Sequence, residues 1–218
     1  MDPHIKLPSN AGTEPNDPAC PRYTHASCLL TRQKILDAAK KVFTRDGFQG
    51  ATTREIAREA GVNEVTLFRH FQTRDHLLRE AILDGMIDVE ELVGPEEVWK
   101  QDFPAEMERF VGRYYARLLE RETLVRAIVG EGGRLSPAVR QVMMEKKILP
   151  IRDALIQRFH AARESGCIRS DIDVGATTDS LRDCLHAGML RRTMYGDGGC
   201  GLETYLHVVT AIFLNGIQ

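Results

Sequence analysis

An all-α fold of about nine helices is what this sequence predicts, and three observations lead there. Large apolar residues recur at helical spacing along the chain from residue 35 onward. Helix-starting residues (Thr52, Asn63, Thr73, Ser136) and helix-stopping glycines punctuate that pattern at regular intervals. No run of alternating apolar and polar residues is long enough to form a strand.

The elements follow in order. Residues 1–26 hold five of the nine prolines and almost no large apolar groups, so burial cannot offset the entropy of ordering them; a flexible arm is expected there. The first helix, from about Ser27 or Thr31 to Asp46, places Ile35, Ala38, Ala39, Val42 and Phe43 on one face, and Gly47 ends it. The second opens with the capping box Thr52-x-x-Glu55 and turns Ile56, Ala57 and Ala60 inward. After a turn at Gly61, Asn63 caps a third helix ending near Phe71. Thr73 caps a fourth, carrying Leu77, Leu78, Ala81, Ile82, Met86 and Val89 and stopping before Gly94-Pro95.

A fifth helix starts near Pro104 with Met107, Phe110, Val111, Tyr114, Tyr115, Leu118 and Leu119, and a short one covers Thr123–Val129. Ser136-Pro137 starts a long helix reaching Glu164, bent at Pro150, which removes one backbone donor. Two more run from Asp173 to Tyr195 and from Leu202 to Leu214. The domains expected are the arm, a head at 27–74 and a helical body at 75–218.

With 28% charged and 43% hydrophobic residues the composition is that of a globular protein, and no apolar run approaches the ~18 residues of a membrane span. No signal peptide is visible, so a cytoplasmic protein is expected. Five scattered cysteines do not suggest a disulfide framework. Cys20, His25 and Cys28 lack a fourth metal ligand nearby, and no metal or cofactor is expected. There is no Gly-rich phosphate loop, His-Glu-x-x-His or nucleophile elbow, and Cys167, seven residues after His160, has no orienting group; catalysis is not expected. The net charge of −2 hides an asymmetry: residues 31–74 carry nine Lys/Arg against five acids, leaving −6 for the rest. A basic segment on an acidic chain suits a DNA-binding head on a non-binding body.

Residues 51–71 read as two short helices joined at Gly61, the second with a mostly polar outer surface: a helix-turn-helix whose second helix enters the major groove. Ile35, Ala38, Ala39, Phe43, Gly47-Phe48, Thr52-Thr53, Ile56-Ala57, Ala60-Gly61-Val62, Thr66-Leu67-Phe68-Arg69-His70-Phe71 and Leu77-Leu78 together make the chain resemble the TetR/AcrR family of bacterial transcriptional regulators. The resemblance covers residues 31–83. It implies a DNA-binding protein whose C-terminal half binds an inducer and forms the dimer. Two positions depart from the family pattern: Phe68 stands where a phosphate-binding Tyr is common, and Val65 where a small residue is frequent.

On that basis Arg54 is the candidate for a bidentate grip on guanine, Glu64 for cytosine N4 and Val65 for a thymine methyl. Thr53, Thr66, Arg69, His70 and Arg74 form the candidate phosphate set, and Phe68 packs at the interface without donating. Asn63 reads equally as a base contact or a pure N-cap, and His70 as a phosphate ligand or as a core hydrogen bond between the third and fourth helices. The partners expected are double-stranded DNA with a palindromic operator, a second copy docked through the last two helices, and a small-molecule effector. Candidate effector contacts are Trp99, Phe103, Met107, Phe110, Tyr114, Met143, Met144, Phe159, Cys184 and His186. Arg109, Arg113, Arg117 and Arg121 form one helical stripe, read either as a solvated face or as a site for an anion.

Overall fold

The computed structural model describes residues 25–93, 102–196 and 198–217. Residues 1–24, where most of the expected arm falls, and Trp99 lie outside the described residues. Regular structure among the described residues is helical throughout.

In the head, α1 (His25–Gly50) runs regularly to Gly47, whose φ of 74° breaks the helix where sequence places its end. Phe48 then folds back, fully buried, and meets Phe43 edge to face at 5.6 Å. In α2 (Thr53–Ala60), Thr52 accepts a hydrogen bond from the Glu55 N–H, and Gly61 closes the helix in the left-handed conformation at φ 68°. The next helix, α3 (Glu64–Phe71), is capped by Asn63, and α4 (Arg74–Gly85) by Thr73. Buried residues of all four helices, from Ile35 and Phe43 through Ile56, Leu67 and Phe71 to Leu77 and Ile82, share one core. Packing therefore puts α4 with the head, beyond the division expected at residue 74.

The fourth helix stops short of the expected Val89. Met86 is extended (ψ 157°), and a separate α5 (Val89–Val93) follows. Gly85 carries the reason: a Cβ there would stand 2.6 Å from the Leu124 side chain. The chain is turned where α7 presses closest, and α5 is bound by α6: Arg113 donates to the Leu92 carbonyl at 2.8 Å and Arg121 to Glu91 at 2.7 Å.

The body comprises α6 (Phe103–Glu120), α7 (Glu122–Glu131), α8 (Pro137–Met143), α9 (Leu149–Glu164), α10 (Val174–Tyr195) and α11 (Leu202–Ile217). Between α8 and α9, residues 144–148 form a π turn, with the Leu149 N–H bonded to the Met144 carbonyl. Pro150 lacks an N–H and its ring would press on the carbonyl four residues back; widening the helix upstream of it absorbs both effects. Phe103, Met107, Phe110, Tyr115, Leu155, Phe159, Leu185 and Met189 centre the body core. At the α10–α11 crossing a Cβ on Gly188 would lie 1.7 Å from the Tyr205 hydroxyl, which donates to the Cys184 carbonyl at 3.1 Å.

Head and body are not separate blocks. Leu135, Val139 and Met143 bury themselves in the head core. Glu131, the last residue of α7, accepts the N–H groups of Phe48 and Gln49 at 3.0 and 3.3 Å. A Cβ on Gly47 would stand 2.3 Å from that carboxylate, so glycine serves both the turn and the contact.

Candidate DNA interface and ligand cavity

The outer face of α3 is built by its inner one. Leu67 and Phe71 are fully buried, one turn apart, and fix the rotation of the helix. That leaves Val65 69% and Phe68 41% exposed, with Arg69 on the same outer surface. Two apolar side chains open to solvent on an eight-residue helix make sense on a face that meets something else. Arg54 is exposed at the start of α2, with Arg58 one turn on.

Two members of the expected DNA set bind each other. Thr53 donates to Glu64 at 2.8 Å, tying the start of α2 to the start of α3. One oxygen of the carboxylate expected to read cytosine is thus already engaged. Asn63 accepts the Thr66 N–H at 2.7 Å, which fulfils the N-cap reading while the residue stays exposed. His70 reaches α1, its Nδ1 4.0 Å from Cys28 Sγ. Thr66, Arg69 and His70 line a polar hollow of about 310 Å³ beside Gly61, closed by Cys28 and Thr31 of α1.

Arg74 departs from its expected role. It is half-buried, and its guanidinium donates to the Ala51 carbonyl from Nε at 3.3 Å and from Nη2 at 3.2 Å, and to the Phe48 carbonyl. These acceptors lie in the α1–α2 connection, where the backbone has left helical pairing. Arg74 clamps that connection from inside, so it is removed from the phosphate set.

The second site is a cavity of about 220 Å³ where head and body meet. Gly85, Met86 and Ile87 form one wall, Leu124, Val125 and Ile128 of α7 another, and Tyr114, Leu118 and His186 belong to the body side. Of the expected effector contacts, Tyr114 and His186 line it. Phe103, Met107, Phe110 and Phe159 do not: they pack into the body core, Phe103 against Phe159 at 5.6 Å. Met143 belongs to the head core, Met144 is 43% exposed and Cys184 is at the surface. Close packing decides this: large apolar residues that could line a pocket are first used to fill the core.

Two of the four arginines of the stripe are neutralised. Arg117 pairs with Glu120 at 2.6 Å and Arg121 with Glu91 at 2.7 Å. The cations sequence reasoning missed are Arg182 and Lys147, which reach the cavity from α10 and the π turn. The one local signal for Arg182 is its place a turn before His186, on the same face.

His186 Nδ1 donates to the Arg182 carbonyl at 2.8 Å, leaving Nε2 as an acceptor, and its ring meets Tyr114 edge to face at 5.6 Å. Burial pushes its pKa below the ordinary 6.5, with the bond to the Arg182 carbonyl opposing. The unfolded chain therefore binds this proton more tightly than the folded one. Its effect on stability is absent above pH 6.5 and grows as pH falls from there toward the lowered folded pKa. Thermal melts from pH 7.5 to 5 should show His186→Gln losing less stability than the wild type over that window; parallel curves would show that His186 is not buried neutral.

A helix-turn-helix head with an exposed reading helix, set on a helical body, defines a DNA-binding transcriptional regulator. Residues 35–81 match the model of bacterial regulatory proteins of the tetR family. The chain is 28% identical over 155 residues to the HTH-type transcriptional regulator UidR of Escherichia coli, covering 70% of this chain and 76% of that one. It is 25% identical over 192 residues to the HTH-type transcriptional repressor AcnR of Corynebacterium diphtheriae, covering 87% and 94%. Its fold superposes on that of FadR from Bacillus subtilis with a TM-score of 0.70 at 17% identity, covering 85% of this chain and 99% of that one. The head over residues 35–81 is thus of the tetR type, and over most of its length the chain is similar to HTH-type transcriptional regulators. Among the described residues no helix is long and apolar enough to cross a membrane.

Proposed function

We propose that the protein is a dimeric repressor that reads a palindromic operator and is released from it when a small molecule fills the cavity. The carrying observation is the position of that cavity. Its walls come from the end of α4, which belongs to the head core, and from α6, α7 and α10 of the body, so an occupant has differential contacts to offer as the two move. The relative AcnR is named a repressor, and FadR was crystallised in complex with stearoyl-CoA, which supports a ligand-responsive repressor here. The lever in this reading is α4, ending where Gly85 meets Leu124.

Dimerisation through α10 and α11 is supported by what those helices leave outside. Val208 and Ile212 of α11 are 44% and 68% exposed, and Met194 and Tyr195 of α10 are 53% and 78% exposed. Ile212 faces out because Thr210, Leu214 and Ile217 take the buried side. Control by a partner protein, the second reading, would suit a filled core; the cavity favours the small molecule.

Selection of bound sequences from a random DNA pool tests the reading. An enriched inverted repeat is expected, and recovery of no enriched sequence would sink it. Within the selected site, Arg54→Ala should cost about 1–3 kcal/mol per half-site and relax one base position. Arg69→Ala should instead weaken all sequences alike and reduce the salt slope by about one. Equal loss on all sequences with Arg54→Ala would move that residue to the phosphate set.

A further inference from the structure

The charged groups around the cavity are not equivalent. Arg121 reaches both oxygens of Glu91, at 2.7 and 2.9 Å, and Lys147 is paired with Asp88. Among the described residues the acid paired with Arg182 is Asp179, 3.9 Å away; the guanidinium also shares a hydrogen bond with Tyr114, and its side chain is 13% exposed. That carboxylate is already held by Arg152 through two hydrogen bonds of 2.8 and 3.1 Å. Arg182 Nε is buried and has no hydrogen-bond partner among the described residues. A buried donor on a cation, left without an acceptor, is costly, and folded proteins seldom keep one without a use for it.

The surroundings of Arg182 define what would satisfy it. Tyr114 lies against it, and the Arg182 guanidinium opposes the rise that burial gives the tyrosine pKa. His186, held neutral by burial, adds no second positive charge. Elsewhere in the lining, Leu118, Val125, Ile128 and Ile151 are apolar. The site thus holds one poorly balanced cation at the edge of an oily space. Its volume of about 220 Å³ lies below the ~300–1,000 Å³ usual for drug-sized ligands. A guanidinium fork fits a carboxylate or a phosphate, but one surplus cation balances one negative charge, which favours the carboxylate over a phosphate dianion.

We propose that the effector is a small amphipathic carboxylic acid, its carboxylate on Arg182 and Tyr114 and its hydrocarbon part against Leu118, Val125, Ile128 and Ile151. This rests on reading the cavity as the effector site.

The test uses the full chain with octanoate, octanamide and octylamine, measured by calorimetric titration and thermal shift. Octanoate should bind about tenfold or more tighter than the amide, with the amine weakest. Arg182→Gln should bring octanoate down to the level of octanamide while leaving octanamide binding unchanged, which also shows the cavity intact. Arg182→Lys, a variant that keeps the charge, should retain part of the preference. Equal binding of acid and amide by the wild type, no binding of any of the three, or undiminished octanoate binding by Arg182→Gln would overturn the proposal. Octanoate binding that leaves operator affinity unchanged would uphold the acid site and overturn its role as inducer.

Discussion

Arg74→Ala is expected to lower folding stability by about 3 kcal/mol and to lose operator binding only under conditions where the head unfolds, not through loss of a phosphate contact. The guanidinium satisfies the carbonyls of Phe48 and Ala51 between α1 and α2, and alanine leaves them partly buried without that donor. Bonds from a charged donor contribute more than neutral ones, and unsatisfied acceptors add their own desolvation cost. Chemical denaturation measures the first effect. Operator binding at temperatures where the variant is still folded separates the two roles: near-normal affinity and salt slope are expected. A folded variant of undiminished stability with a flattened salt slope would return Arg74 to the DNA surface.

A larger loss, about 3–5 kcal/mol, is expected for Arg158→Met. Glu106 on α6 is 2% exposed in the body core, and Arg158 on α9 meets it through Nε at 2.5 Å while its guanidinium lies 5.7 Å from the Phe103 ring centre. Removing the cation takes the Arg158 counter-charge away from a carboxylate held out of water. The double replacement Glu106→Leu with Arg158→Met should recover much of the loss, because the desolvation cost of the pair disappears with the pair. Urea denaturation of the three variants checks this; if the double variant is no better than the single one, the ion pair is not the source of the loss.

Short-range features were legible in the sequence. The caps at Thr52, Asn63, Thr73, Ser136 and Asp173, the stop at Gly47 and the inward set Leu67 and Phe71 depend on a few neighbouring residues. The same local logic exposes Val65 and Arg54. What was not legible depends on residues far apart in the chain. Arg74 looked like a surface cation because its acceptors are backbone carbonyls 23 and 26 residues earlier, which no composition reveals. Met143 looked like pocket lining because nothing in α8 says that it packs on the head. The helix ending at Gly85 carried an unbroken apolar stripe, and the break comes from Leu124 of another helix. Arg182 was hidden for the opposite reason: charged residues abound, and only a buried Nε without a hydrogen-bond partner among the described residues distinguishes it.

The bond between Glu131 and the turn after Gly47 has a mechanical consequence. Leu124 and Glu131 stand seven residues apart on α7, about 10 Å along a single rod and nearly in line. Leu124, Val125, Ile128 and Val129 line the cavity along that length, and at its end the Glu131 carboxylate grips the backbone just ahead of α2 and α3. In the proposed mechanism, a push on α7 from an occupied cavity would reach the turn after Gly47 through the two Glu131 bonds. Those two bonds set the stiffness of the transmission, and their rupture force is the largest signal the rod can carry.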